Sequence, residues 1–361
     1  MDVSFAIGTN DDERRAGLYR GEIIVLPATP ASLELVRFAR KMIEDAFAPY
    51  SPRTAYQHLE VTETVQILSR LKPQFIHDPR TRFLLRDLLL GYGCNASSTY
   101  QDVPRLRAAY PASYLTTGIA YAHHPHRDTW YSAPPCQLNW WMPLYDFDAN
   151  QGMAFHPAYW NRAIVNGSTD FNYYRWNAVG RQNAANHIKS DTRVQPRAQE
   201  PIELEPAIRL VVPPGSVILF SADQLHSTVH NETALTRWSI DFRTVDLGDV
   251  LARRGAPARD VACSGTSLRD FRRTDDFEPM PAEAVALYDD GSSSEGRAVF
   301  APGGPETVEQ AAKPAPVPPP VSTTAGVADC PPTLPSASAS DDHAKSHAQR
   351  SPADSRIVAG E

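Results

Sequence analysis

The stretch His123-His124-Pro125-His126-Arg127-Asp128-Thr129-Trp130-Tyr131 sets an imidazole, His126, two residues before a carboxylate, Asp128. On an extended chain that spacing puts both side chains on one face. An imidazole and a carboxylate on one face, joined by a second His from elsewhere, form the two-His-one-carboxylate set that holds non-haem iron(II) and leaves coordination positions open. The pair decides nothing by itself; what lies a hundred residues later does.

There Gly215 opens a short apolar run, Val217 to Phe220, and His226 follows it. The next segment alternates strictly. Thr236, Trp238, Ile240 and Phe242 share one face, and Arg237, Ser239, Asp241 and Arg243 the other. Four polar side chains on an apolar-backed strand read as the lining of a cavity. Arg237 and Ser239, two apart, can grip one carboxylate together, the guanidinium by two parallel hydrogen bonds.

The order His126-x-Asp128, His226, Arg237 resembles the Fe(II)/2-oxoglutarate dioxygenases. The phrase Leu225-His226-Ser227-Thr228-Val229-His230-Asn231 is most similar to the phytanoyl-CoA dioxygenase-like branch, as is Asn150-Gln151-Gly152-Met153-Ala154-Phe155-His156-Pro157. The likeness runs from about Tyr114 to Val245. It implies a double-stranded β-helix (jelly-roll) core, mainly β with a helical flank, and one iron(II) on His126, Asp128 and His226. It further implies 2-oxoglutarate as co-substrate with its far carboxylate on Arg237 and Ser239, and O2 as oxidant. The products are then succinate, carbon dioxide and, most simply, a hydroxylated small metabolite. In halogenating relatives the carboxylate position is a small residue; Asp128 fills it here, which favours hydroxylation. His230 heads a His-x-acid pair of its own with Glu232 but lies only seven residues before Arg237, whereas His226 directly follows the strand, where the resemblance places the distal ligand. His123, His124 and His156 are also near the proposed site in sequence and compete as ligands; His156, before Pro157, is read as supporting or structural.

These groups need strands to carry them. Tyr114 to Ala122 reads as the strand leading into His126, and Gln137 to Leu144 as the next one. In the latter, Gln137, Asn139 and Trp141 share a face, so Gln137 or Asn139 is expected beside 2-oxoglutarate or substrate; Leu138, Trp140 and Met142 face the other way. Residues 158–205 break the strand pattern and place six aromatics, Tyr159, Trp160, Phe171, Tyr173, Tyr174 and Trp176, within eighteen residues. An amphipathic aromatic insertion between the two halves of the metal set is positioned to cover the mouth of a barrel. Asp241 and Arg243 are expected to pair with each other.

Before the core, residues 1–110 read as a mostly helical flank: a short strand at Glu22 to Leu26, a helix from Thr29-Pro30 to Phe47, another from Val61 to Leu71, and a third from Asp78-Pro79 to Leu90. His58 and His77 fall here as ordinary residues. The core proper is read as 111–250, followed by a C-terminal extension, 251–300. Residues 301–361 hold 11 of the 32 Pro and no aromatic residue, too little to bury against the entropy of ordering, and are read as disordered.

Composition narrows the function classes. The chain has 361 residues and a net charge of −7 without a basic block, which gives no sign of a nucleic-acid or membrane partner. Cys94, Cys136, Cys263 and Cys330 are scattered, as free thiols in a reducing compartment are. No run reaches membrane-spanning length, so a cytoplasmic enzyme with a small-molecule substrate is expected. Two other classes share some of these residues: a cupin-like metalloenzyme without 2-oxoglutarate, and a non-catalytic jelly-roll carbohydrate-binding module that uses Trp140, Trp141 and the 158–176 aromatics.

Overall fold

A computed structural model describes residues 2–5, 10–181 and 183–291 of the chain. The Pro-rich tail and the last residues of the C-terminal extension lie outside the described residues.

Two sheets form the core. The large one contains β1 (Val3–Phe5), β2 (Ile23–Leu26), β3 (Thr99–Gln101), β4 (Arg105–Ala109), β5 (Leu138–Pro143), β8 (Val217–Ser221), β10 (Arg237–Asp246) and β11 (Arg272–Arg273). Its order is β1-β2-β8-β5-β10-β3-β11, with β4 also paired to β10. The small sheet is β7-β6-β9, from β6 (Met153–Phe155), β7 (Ile208–Arg209) and β9 (His226–Thr228). Phe155 of the small sheet and Val25, Trp141, Ile218 and Phe220 of the large one share one apolar cluster, so the sheets close on each other as in a jelly roll.

The outer face of the large sheet is covered by helices. In α2 (Pro30–Phe47), capped by Thr29 with Pro30 at its first turn, Leu35, Val36, Ala39, Ile43 and Phe47 form a buried stripe. Alongside it lie α3 (Val61–His77) and α4 (Pro79–Gly91). All three bury their stripes on Leu138, Trp140, Met142, Leu219, Trp238, Ile240 and Phe242. Each large side chain so buried contributes about 1.5–3 kcal/mol. At the N-terminus lies α1 (Asp11–Tyr19), capped by an Asn10/Glu13 box.

This packing fixes the parity of every core strand. Trp140 stacks on Phe242 at 5.4 Å on the helix side, while Trp141 and Asn139 face inward. On β10, Trp238, Ile240 and Phe242 meet the helices, which leaves Arg237, Ser239, Asp241 and Arg243 on the inner face. With relative exposures of 1% and 3%, Trp140 and Trp141 are not available to a sugar.

Three sequence expectations are corrected. Tyr114 to Ala122 is not a strand: it forms turns and a single 3-10 turn, Gly118–Ala120. Gly118 sits at φ +57, and a Cβ there would lie 2.3 Å from the carbonyl of Ala184, so a glycine is required and the run cannot stay extended. The second flank helix does not stop at Leu71 but runs through Pro73 to His77. Strands also reach into the stretch read as helical flank, since β3 and β4 both pair with β10. No helix among the described residues is long and apolar enough to cross a membrane.

Candidate metal centre and its two cavities

His126 and His226 are cross-strand partners. Each donates its backbone N–H to the other's carbonyl at 3.0 Å, and their rings lie 4.3 Å apart. Directly opposed residues of an antiparallel pair project to the same side, so this bridge brings the two imidazoles together. Arg127 is extended (φ −110, ψ 141), which returns Asp128 to the face of His126. The Asp128 N–H then donates to the carbonyl of Ala222 at 2.9 Å. The ligand-capable atoms of His126, Asp128 and His226 all lie within 4.8 Å of one another.

The donor set suits a divalent metal. The Nδ1 of His126 lies 2.8 Å from the carbonyl of His124, and that of His226 2.9 Å from the carbonyl of Gln224. A carbonyl only accepts, so each Nδ1 carries the proton and each Nε2 offers a lone pair to the centre. Burial, reinforced by His126, pushes His226 down to about 3, so it is a neutral ligand at neutral pH. Asp128 is pushed up by burial, but its contact with His126 and the charge of Arg243 prevail and hold it well below the usual carboxylate range. Its Oδ1 faces His126 Nε2 at 3.4 Å, and its Oδ2 is held by Arg243 Nε at 3.6 Å and Gln137 Nε2 at 3.5 Å. One oxygen is thereby turned to the imidazoles and the other restrained from behind.

Two cavities meet at this cluster. The first is lined by His126, Asp128 and His226 together with Asn139, Trp141 and Arg237. In it Arg237 is buried at 5% exposure; its Nε donates to the Gln151 carbonyl at 2.9 Å and its Nη1 to Ser239 Oγ at 2.6 Å, with Trp141 5.4 Å from the guanidinium. No carboxylate among the described residues forms an ion pair with it, and burial pushes its pKa down to about 10. The second cavity shares His126 and Asp128 and is walled by Tyr131 and by Phe171, Tyr173 and Trp176 of the insertion. Phe171, Tyr173 and Tyr174 are also a buried cluster of their own, so the insertion is both packed and cavity-lining.

The remaining sequence candidates are dispersed. Gln137 bonds Asn139 (3.1 Å) as well as approaching Asp128. His230 is exposed, and His156 is engaged with Ser227 Oγ at 3.0 Å and the Leu204 carbonyl at 3.2 Å. His123 stacks on His126 at 4.9 Å and lines both cavities. The expected Asp241–Arg243 pair is not formed. Asp241 takes a forked contact from Arg107 of β4 (3.0 Å), and Arg243 turns to Asp102 (3.1 Å) and Asp128. The cause is register: Arg107 stands opposite Ser239, diagonal to Asp241, and competes for it across the strands. Sequence reasoning missed Arg107 and Lys72, which line both cavities; neither belongs to a local pattern that flags it.

No family model matches the chain, and no curated protein matches it. Solved structures do. EvdO2 from Micromonospora carbonacea var. aurantiaca, solved with 2-oxoglutarate, is 12% identical with a TM-score of 0.38, over 67% of this chain and 94% of that one. The non-haem α-ketoglutarate-dependent epimerase SnoN from nogalamycin biosynthesis is 17% identical with a TM-score of 0.32, over 65% and 82%. The carbocyclase SnoK from the same biosynthesis is 12% identical with a TM-score of 0.36, over 67% and 88%. At TM-scores of 0.32 to 0.38 these likenesses carry no argument about this chain, whose site stands on its own residues.

Proposed function

We propose that the protein is a non-haem Fe(II) oxygenase that uses 2-oxoglutarate and O2 to hydroxylate a small metabolite, with release of succinate and carbon dioxide. The observation that carries this reading is one cavity shared by a converged His126/Asp128/His226 set and a buried Arg237 that forms no ion pair with a carboxylate among the described residues. A desolvated cation without a counter-ion is costly to keep, and a dianionic co-substrate offset from the metal ligands answers that need.

His126, Asp128 and His226 would hold the iron, which when bound supplies activation of dioxygen and of an otherwise inert C–H bond. The chain's own residues do the rest. The His124 and Gln224 carbonyls keep both imidazoles in the ligating tautomer. Arg243 and Gln137 restrain the second oxygen of Asp128. Arg237 receives the far carboxylate of 2-oxoglutarate, with its Nη1 held by Ser239 Oγ from behind and Asn139 in the same cavity. Tyr131, Phe171, Tyr173 and Trp176 exclude water from the substrate side.

The test is reconstitution with iron(II) in the absence of air, metal analysis, and succinate release on admitting O2 with a metabolite panel. Retention of iron and 2-oxoglutarate-dependent succinate formation are expected. Metal retention with no 2-oxoglutarate turnover under any metabolite overturns the reading in favour of a metalloenzyme of another kind.

A further inference from the structure

The second cavity is strongly cationic. Lys72, Arg105, Arg107, Arg181, Arg193 and Arg243 line it, against Asp102 and Asp128 as its lining acids. Each arginine has a carboxylate. Arg105 and Arg243 share Asp102, Arg107 takes Asp241, Arg181 reaches Asp270 at 3.5 Å, and Arg193 takes Asp191. With Asp128 assigned to the metal, six basic side chains face four carboxylates, an excess of two basic groups. On the co-substrate side, Arg237 is already matched by 2-oxoglutarate, so that surplus belongs to the other chamber.

Lys72 is where the surplus concentrates. It projects from α3 into both cavities, and its ammonium donates to the Ile119 carbonyl but pairs with no carboxylate among the described residues. Arg107 lines the same two cavities, with both its charge and its fork already committed to Asp241. Burial first, and the charge of Arg107 second, push Lys72 down to about 7, with the charge of Asp241 opposing them more weakly. The same cavity is also lined by the rings of Tyr131, Phe171 and Trp176, with the Arg193 guanidinium 5.0 Å from the centre of the Trp176 ring.

We propose that the substrate of this site is an organic anion: a ring-bearing or apolar body against Tyr131, Phe171 and Trp176, with a carboxylate or phosphate group seated at Lys72 beside Arg107. This rests on the function proposed above and names its substrate class. An anion there completes the one cation lining the second cavity that pairs with no carboxylate among the described residues, and it fixes one end of the substrate so that a carbon further along the body lies at the His126/Asp128 edge common to both cavities.

The test titrates benzoate, phenyl phosphate and the uncharged isostere benzamide into iron(II)- and 2-oxoglutarate-loaded protein without air, by calorimetry, for the unmodified chain and for Lys72→Met and Lys72→Arg. An anion is expected to bind at least tenfold tighter than benzamide, and the tighter of benzoate and phenyl phosphate identifies the group. Lys72→Met should lose roughly tenfold or more of that affinity, the range for a lost charged hydrogen bond. Lys72→Arg should restore most of it, and 2-oxoglutarate affinity should stay within twofold in both variants. Equal binding of benzamide, or no anion binding up to tens of millimolar, overturns the proposal. So does a Lys72→Met variant that weakens 2-oxoglutarate while sparing the anion, since Lys72 would then serve the co-substrate. If Lys72→Met does not fold, the benzoate-to-benzamide comparison in the unmodified chain still decides. Failure to load 2-oxoglutarate at all, with Lys72-dependent benzoate binding intact in the iron(II) protein alone, sinks the function proposed above and leaves the anion seat at Lys72 standing.

Discussion

Replacing Arg237 by Met should separate binding from stability. Burial lowers the guanidinium from 12.5 to about 10. At 1.36 kcal/mol per unit, the protonated group is about 3 kcal/mol less comfortable inside than in water. Arg237→Met removes that penalty but also removes the bonds to the Gln151 carbonyl and to Ser239 Oγ, each worth about 1–2 kcal/mol. The two effects nearly cancel, so the ligand-free variant should melt within a few degrees of the unmodified chain. Binding does not cancel. A carboxylate left in that pocket without its cation loses about 2–5 kcal/mol, or roughly thirty- to several-thousand-fold in 2-oxoglutarate affinity. Arg237→Lys keeps charge without the fork and should fall between. The measurements are thermal melting with and without 2-oxoglutarate, and succinate formation against 2-oxoglutarate concentration. An unchanged 2-oxoglutarate dependence in Arg237→Met refutes the assignment, and a collapse of the ligand-free melt would make Arg237 a structural residue instead.

Other outcomes follow from the same geometry. Ala at His126, Asp128 or His226 should cut iron retention and abolish succinate formation while the fold survives, and His230→Ala should retain iron by metal analysis; the reverse pattern for His226 and His230 would place the distal ligand elsewhere. Asp128→Gly should bind iron more weakly and lose hydroxylation, and a chlorinated product from the unmodified protein in chloride buffer would remove Asp128 from the metal. Metal-free protein should lose stability as pH falls below about 6.5, since His124 and His226 are pushed down to about 4 and about 3 and the unfolded chain therefore binds more protons in that window. The slope should approach about 1.4 kcal/mol per pH unit for each such imidazole, read from urea melts; a flat profile from pH 6.5 to 5 contradicts the burial argument. A chain ending at Phe300 should keep its melting temperature and its turnover, because the removed residues include no aromatic side chain; a large loss of either would mean that the tail docks on the body.

What the sequence made legible is what repeats locally. The period-two alternation of β10 announced a polar inner face, and the structure puts Arg237, Asp241 and Arg243 on a cavity wall. The spacing of His126 and Asp128 announced a shared face, which the extended Arg127 delivers. What stayed hidden depends on register and on distance in sequence. Nothing near Asp241 says that Arg107, on the neighbouring strand and far off in sequence, wins it from Arg243. Nothing near Lys72 says that a helix outside the sheet sends an ammonium to the edge of the metal cluster. The apolar run Tyr114 to Ala122 looked like a strand because apolarity alone cannot distinguish one from a buried series of turns; Gly118, pressed against the carbonyls of Ala184 and His187, was the residue that distinguished them.

Arg127 separates the two ligands of the His-x-Asp stretch and points the other way, buried at 2% exposure. Its guanidinium donates to the backbone carbonyls of Tyr159 and Arg162 at the start of the insertion and of Asp223 ahead of His226, and it pairs with Asp260. One side chain thus ties the ligand stretch, the distal strand and the substrate-side wall together, and it reads that wall through main-chain oxygens. Side chains that only face the second cavity can therefore be rewritten for new substrates without disturbing these bonds, while the buried Phe171, Tyr173 and Tyr174 cluster and the path of the chain past Tyr159 and Arg162 have to be kept. Diversification of such a pocket proceeds by redecorating a fixed route, and an insertion rerouted at this point would unseat the metal before it altered the substrate.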